Sequence, residues 1–173
     1  MNSRRTRPFC RKDPSCNDPK VLCDNMQDDL LHAVEIRKQF PQRVHLVRYE
    51  DLSLYPFKET DAVFNFLGLQ KTMNIEKYIE EHTFSKREDE GHSEDHQDRK
   101  NVKYSPFSTK KDSKATAFAW KQELTFEETL IIQRVCSKPM KAFGYKSFSK
   151  SDELKSKEIN SLGSLRGLSN FKN

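Results

Sequence analysis

Apolar side chains recur at helical spacing in four segments of the chain, and this spacing predicts four helices. The segments are residues 24–40, 56–69, 74–82 and the run that follows Leu124. Pro41 ends the first helix, and Gly68 is placed to end the second in the left-handed conformation that glycine adopts most readily. Thr125 and Glu128 form a capping box at the start of the last helix, and Pro139 is expected to kink or end it.

One short segment departs from the helical pattern and predicts a strand. Val44, Leu46 and Val47 place apolar groups on both faces, as expected for a strand buried between two layers of helices. Charged and aromatic residues follow at once, at positions 48–51. In open α/β sheets, ligands bind at the carboxyl ends of the strands. The pattern therefore predicts an α/β fold, with helices packed on a small parallel sheet and a ligand site after this strand.

Three segments lack hydrophobic periodicity and predict loops. Residues 1–20 contain three prolines and little apolar content, and residues 147–173 are a Ser/Lys-rich stretch that predicts a loosely ordered tail. Residues 84–103 are mostly charged or polar and predict a solvated, mobile loop. His92 and His96 lie beside acidic residues there, but nothing nearby would bury or rigidify metal ligands. The sequence therefore favours a solvated loop over a metal site.

The overall composition indicates a polar single domain. A chain of 173 residues has room for one modest core, and its mean hydropathy of −0.91 indicates that part of it is not packed. The net charge of +5 suits an anionic ligand but is too dispersed to indicate nucleic-acid binding. No apolar run approaches the ~20 residues of a membrane span, and the N-terminus lacks the apolar stretch of a signal peptide.

The four cysteines indicate disulfides rather than a metal site. Cys10, Cys16 and Cys23 lie near the N-terminus, and Cys136 lies far downstream. Their spacing lacks the paired C-x-x-C blocks of a structural zinc site, so disulfides in an oxidising compartment fit better. In the cytosol the same residues would remain thiols. Four cysteines allow three pairings, and the sequence does not choose among them.

The acidic residues after the predicted strand are candidates for acid–base chemistry. Glu50 and Asp51 are adjacent, so their side chains point in different directions, and Asp51 is better suited to cap or brace the following turn. We therefore assign neither residue to catalysis. Arg48 has two open roles, because it could pair with one of these acids or face a bound ligand.

Several blocks of the sequence, taken in order, resemble the Golgi carbohydrate sulfotransferases. The blocks are S-R at residues 3–4, R-Y-E-D-L at 48–52 with a proline at 56 and F-L-G-L at 66–69, T-K-K-D-S at 109–113 before W-K at 120–121, and M-x-x-x-G-Y at 140–145. The cysteine-rich loop after S-R is similar to the lumenal members of that family. The resemblance covers residues 1–146 and implies the C-terminal part of a P-loop-like sulfotransferase domain.

The resemblance also implies which residues bind the donor nucleotide. Ser3 and Arg4 correspond to the end of the segment that holds its 3′-phosphate, and a hydroxyl with a guanidinium suits phosphate oxygens. Tyr49 corresponds to a tyrosine near the adenine, although by itself it could equally be a core tyrosine with a satisfied hydroxyl. Lys111 and Ser113 belong to the T-K-K-D-S block at residues 109–113. Lys111 stands where the family commonly has arginine, so it lacks the bidentate fork.

For function, the resemblance implies sulfuryl transfer from 3′-phosphoadenosine 5′-phosphosulfate to a sugar hydroxyl of a glycan, with no metal cofactor expected. The expected chemistry is 6-O-sulfation of N-acetylglucosamine, galactose or N-acetylgalactosamine by a Golgi protein that an N-terminal segment anchors in the membrane. The 5′-phosphosulfate loop and the catalytic residues of the family lie before its S-R segment. The sequence therefore leads us to expect an N-terminally truncated chain without turnover of its own.

A second hypothesis comes from a different functional class: a non-catalytic secreted module, derived from a sulfotransferase, that binds nucleotide or glycan. It predicts a stable monomer with a cooperative melt. Truncation instead predicts an unpaired sheet edge and an exposed core, and therefore aggregation. A basic nucleic-acid binder is disfavoured because the sequence contains no recognised motif and no interleaving of aromatic and basic residues.

Overall fold

The computed structural model of the protein describes residues 10, 12–84, 112–158 and 161–165. In these ranges the helices are α1 (Pro14–Asn17), α2 (Pro19–Gln39), α3 (Tyr49–Leu54), α4 (Pro56–Leu67), α5 (Met73–Thr83), α6 (Ser113–Phe118), α7 (Trp120–Glu123), α8 (Phe126–Val135), α9 (Ser137–Ala142) and α10 (Ser151–Lys155). Two compact units are present, Met1–Arg48 with Phe118–Asn173 and Tyr49–Ala117. The predicted loop beyond Phe84, with His92 and His96, lies outside the described residues up to its end at 103.

Prolines begin the two N-terminal helices, where the sequence predicted a loop up to residue 20. Pro14 and Pro19 occupy the first positions of α1 and α2, where a missing N–H costs no helical hydrogen bond. The carboxylates of Asp13 and Asp18 cap these helices by accepting from backbone N–H groups two residues on. The helix predicted to start at residue 24 therefore starts five residues earlier, and it ends two residues before Pro41.

The core of the first unit lies where α2 packs against α8 and α9. Its buried apolar residues are Cys10, Cys23, Leu30, Leu124, Cys136, Phe148 and Leu154. Disulfides join Cys10 to Cys16 and Cys23 to Cys136, so the structure selects one of the three possible pairings. The second disulfide ties the first turns of α2 to the junction of α8 and α9, across 113 residues of sequence.

The predicted start and break of the last helical run are confirmed. Thr125 and Glu128 make both hydrogen bonds of the capping box, at 3.0 and 3.1 Å. The run breaks at Cys136, and Pro139 lies in the first turn of α9, where its ring is compatible with a helix. Both features are local, because each depends on residues within a few positions of one another.

The predicted parallel sheet is not confirmed. Residues 44–48 form neither helix nor strand, and Val44, Leu46 and Val47 are half-buried. In the part of the chain that the structure describes, the β pairing is one isolated antiparallel bridge between Tyr145 and Leu162. A strand requires a hydrogen-bonded neighbour, and no described segment pairs along residues 44–48. The apolar pattern there meets the composition of a strand but not this second requirement.

The second unit contains α3, α4 and α5, together with residues 113–117 of α6. Gly68 ends α4 with a φ of 67° and donates its N–H to Asn65 and Phe64, as predicted. At the turn into α5, the Lys71 ammonium lies 2.5 Å from an Asp61 oxygen and 3.1 Å from a Glu76 oxygen. The hydrogen bond that Lys71 donates to the Asp61 carboxylate, more than any other cause, raises the pKa of Lys71. These ion pairs join the two helices.

Few apolar side chains of the second unit are buried, with Ile79 and Ala117 as its described core residues. Tyr78, in α5, is 57% exposed. The exposed large apolar side chains of this unit are Tyr49, Leu52, Tyr55, Phe66, Leu67, Leu69, Met73, Tyr78 and Phe84. The predicted helices are present, but the described part of this unit leaves much of their apolar surface in contact with solvent.

Residues 147–158 and 161–165 differ from the predicted loose tail. They form α10 and bury Phe148 and Leu154, and the ring of Trp120 packs edge-on against Phe148. The apolar residues here are too sparse for a helical period, and their partners lie on distant helices, so the sequence pattern did not reveal the packing. Residues 166–173 of the predicted tail lie outside the described residues.

None of the helices in the described ranges combines the length and apolar character needed to cross a bilayer.

Removing the Cys23–Cys136 disulfide should destabilise the chain more than removing Cys10–Cys16. In the chain-entropy account, a cross-link over 113 residues stabilises by about 5 kcal/mol and one over 6 residues by about 2 kcal/mol. We expect the Cys23→Ala/Cys136→Ala double variant to lose more unfolding free energy in urea than the Cys10→Ala/Cys16→Ala variant. Equal losses would contradict the entropic argument.

Candidate functional site

Tyr49 lies at the start of α3 and is 56% exposed. It is therefore not a core tyrosine, and its ring is open to a ligand. Glu50, one residue later, is buried, and both Glu50 and Asp51 lie in the first turn of α3, where the helix dipole favours negative charge. That placement gives the two acids a structural role, in keeping with our decision to assign neither to catalysis.

Ser113 begins α6 and contacts α3 within the second unit. Its hydroxyl donates a hydrogen bond of 2.9 Å to the backbone oxygen of Ser53, which belongs to a buried residue of α3. The structure thus brings together the helix that begins with Tyr49 and the helix that begins with Ser113. A hydroxyl has a single proton. In this conformation Ser113 braces the two helices, and donation to a phosphate would require this bond to break.

Asp112 fixes the start of α6, a role that the analysis of the sequence missed. Its carboxylate accepts a 2.7 Å hydrogen bond from the backbone N–H of Ala115, and its carbonyl oxygen accepts from the Thr116 hydroxyl. The preference of aspartate for helix N-termini could have revealed this. Lys111, the preceding residue, lies outside the described residues, as do Ser3 and Arg4.

Arg48 has a role that neither of its two predicted alternatives included. It is 5% exposed, so its guanidinium is not open to a ligand. One Nη donates to the backbone oxygens of Phe143, at 2.9 Å, and Gly163, at 3.1 Å. These carbonyl groups are separated from Arg48 by 95 and 115 residues of sequence, which explains why no local pattern predicted the contacts.

Lys121, the lysine of the W-K block, is also buried. The residue is 3% exposed. Its ammonium group donates hydrogen bonds to the backbone oxygens of Ser156 and Glu158, both at 2.7 Å. Burial lowers the pKa of Lys121, because removing water disfavours the charged form. Within the first unit, Arg48 and Lys121 thus use their charge on main-chain carbonyl groups.

Comparison with known proteins gives one consistent result. The profile described as "Sulfotransferase domain" matches residues 13–144, which is more than half of the chain. Carbohydrate sulfotransferase 1 of Mus musculus is 29% identical over 139 residues, covering 80% of this chain and 31% of the mouse protein. The Danio rerio protein of that name is 31% identical, covering 76% and 30%, and carbohydrate sulfotransferase 3 of Tetronarce californica is 27% identical, covering 72% and 25%.

The chain therefore spans about a third of the length of the curated relatives that it matches, or less. No solved structure shows a significant match.

The lowered pKa of Lys121 predicts the sign of a pH effect. The folded chain releases this proton at a lower pH than the unfolded chain, whose lysines titrate near 10.5. In the window below 10.5 the unfolded state therefore binds more protons, and stability from this group rises with pH. Urea unfolding should be measured across this window for the wild type and for Lys121→Met. The unfolding free energy of the wild type minus that of the variant should grow with pH. A difference that shrinks would contradict the direction of the shift.

Proposed function

The chain belongs to the sulfotransferase family, and from this premise we propose that it serves the transfer of a sulfuryl group to a carbohydrate. The observation that carries the proposal is the family match over residues 13–144, together with relatives that are named carbohydrate sulfotransferases. The chain spans about a third of those relatives, so the activity of the whole relatives is carried over to it only as a proposal.

The proposed donor is 3′-phosphoadenosine 5′-phosphosulfate, and the proposed acceptor is a sugar hydroxyl, at the 6-position, of a glycan such as a glycosaminoglycan. In the reaction the S–O bond to the donor phosphate breaks as a bond forms to the sugar oxygen, and the hydroxyl proton passes to a base. Charge develops on the sulfuryl and bridging oxygens, so catalysis requires fixed donors there. We assign none of the described residues to that task.

The contribution proposed for this chain is binding of the donor nucleotide. The exposed ring of Tyr49 would stack on the adenine, a contact that suits any base because every base has a π face. Ser3, Arg4 and Lys111 would hold the 3′-phosphate through charge-assisted hydrogen bonds, Arg4 in the bidentate geometry. Ser113 would position the T-K-K-D-S block through its hydrogen bond to Ser53, rather than donate to the phosphate directly.

The proposed location is the Golgi lumen, in a protein held there by a membrane anchor. The two disulfides support this proposal, because disulfides persist in oxidising compartments and are rare in the cytosol. Cysteine oxidation by itself does not distinguish the Golgi from other secretory compartments. The Golgi assignment therefore follows from the family rather than from the disulfides.

A non-catalytic binding module is the alternative, and the second unit argues against it. A module that functions alone should cover its own apolar surface, whereas the described residues of this unit expose nine large apolar side chains. Such a surface is better explained if the second unit is part of a larger packed domain. We therefore favour the enzyme over the module.

The nucleotide proposal predicts that one exposed tyrosine matters and another does not. Tyr49 and Tyr78 are 56% and 57% exposed, so Tyr78→Ala is a matched control for Tyr49→Ala. Loss of a base–aromatic stack costs about 1–3 kcal/mol, so Tyr49→Ala should weaken binding of adenosine 3′,5′-bisphosphate by about 5-fold to 150-fold in calorimetry. Tyr78→Ala should bind as the wild type does. Equal effects, or no binding by the wild-type chain, would refute the proposed site.

We also propose that these 173 residues transfer no sulfate by themselves, because they correspond to about a third of the relative named carbohydrate sulfotransferase 1. Purified chain, incubated with sulfur-labelled donor and a desulfated glycan, should leave the acceptor unlabelled. A full-length relative serves as the positive control. Labelled glycan above the no-protein background would overturn the proposal.

A further inference from the structure

We propose that residues 145–158 and 161–165 form a C-terminal clasp, a segment that is an obligatory part of the first unit and is held closed by main-chain carbonyl groups on two buried cations. The family match ends at residue 144, where the clasp begins. Both ranges lie within the first unit. The inference does not depend on the proposed enzymatic function.

The buried cations carry the argument. Lys121 donates to two carbonyl groups of the clasp, those of Ser156 and Glu158, and Arg48 donates to the clasp carbonyl of Gly163. Taking an isolated charge out of water is costly unless it is paired or hydrogen-bonded. If the clasp were released while the rest of the unit stayed folded, both cations would lose these acceptors. Its closure is therefore coupled to the burial of Arg48 and Lys121.

Contacts in the opposite direction reinforce the coupling. Lys155, in α10 of the clasp, donates to the backbone oxygens of Gln122 and Leu124, at 3.0 and 2.8 Å, and so caps the C-terminal end of α7. The Gln133 amide bonds both backbone groups of Phe148, at 2.6 and 3.1 Å. The clasp thus donates hydrogen bonds to backbone oxygens of the rest of the unit, and Gln133 in the rest of the unit pairs with backbone groups of the clasp.

The two ends of the clasp meet beside Gly144. Lys146 donates its N–H to the oxygen of Ser161 at 2.8 Å, and Gly163 donates to the oxygen of Gly144 at 2.7 Å. Gly144 has a φ of 70°, and a Cβ atom there would lie 2.2 Å from the backbone oxygen of Ser164. A side chain at position 144 cannot be accommodated unless the clasp moves.

Two glycines allow a matched test of this contact. Gly144 and Gly68 have nearly the same positive φ, 70° and 67°, but a Cβ at Gly68 would meet nothing within 4 Å. The backbone strain of alanine is therefore similar at both sites. The clash with Ser164 distinguishes them.

The test is hydrogen exchange by mass spectrometry on the full chain. Gly144→Ala should speed exchange in peptides from residues 145–165 at least tenfold relative to Gly68→Ala, in which clasp exchange should equal that of the wild type. Unfolding of the whole first unit in Gly144→Ala, with Gly68→Ala still folded, would also support an obligatory clasp. Equal clasp exchange in the two variants, or unprotected clasp amides in the wild type, would overturn it.

A second pair of variants tests the role of the cations. Lys121→Met should speed exchange in residues 151–158 at least tenfold, because the Ser156 and Glu158 carbonyl groups lose their donor. Lys150→Met makes the same change at an exposed clasp position and should have no effect. If amide exchange in the clasp is no faster in Lys121→Met than in Lys150→Met, the buried cations do not hold the clasp closed and the proposal is refuted.

Discussion

The side chains of Arg48 and Lys121 are buried in the first unit, so their charged groups require hydrogen-bond acceptors inside the protein. The structure supplies main-chain carbonyl groups, which carry no side-chain identity and are available wherever the backbone turns away from a helix. Arg48 and Lys121 therefore connect segments that share no sequence motif, and the C-terminal residues become part of the core. α10, the buried Leu154 and the bridge between Tyr145 and Leu162 belong to the same C-terminal segment.

The second unit is organised differently. Its described helices are defined by local features, such as Gly68 at the end of α4, the Asp112 cap of α6 and the Lys71 ion pairs between α4 and α5. Apolar burial contributes little, since Ile79 and Ala117 are its buried apolar residues among those described. Caps and exposed ion pairs stabilise by about 1 kcal/mol or less each, whereas a folded domain depends mainly on apolar burial.

The difference between local and distant interactions also decides what the sequence could predict. The capping box at Thr125, the glycine terminator and the helix over residues 74–82 were predicted correctly, because each depends on neighbours within a few residues. The strand at residues 44–47 was not confirmed, because pairing depends on a second segment. The packed C-terminal segment and the disulfide pairing were not predictable for the same reason. Of the five predicted nucleotide-binding residues, the structure describes Tyr49 and Ser113 and connects their helices, whereas the nucleotide site itself stays a prediction.

The long disulfide also has a consequence for how the protein is made. Cys23 and its partner are 113 residues apart, and at a synthesis rate of about 5–20 residues per second they emerge roughly 6 to 23 seconds apart. In the oxidising compartment proposed above, Cys23 would be a free thiol during that interval, in the same stretch of chain as Cys10 and Cys16. Early closure of the Cys10–Cys16 loop would remove two thiols of this segment that could otherwise pair with Cys23. The short disulfide would then limit mispairing while Cys23 waits for its distant partner.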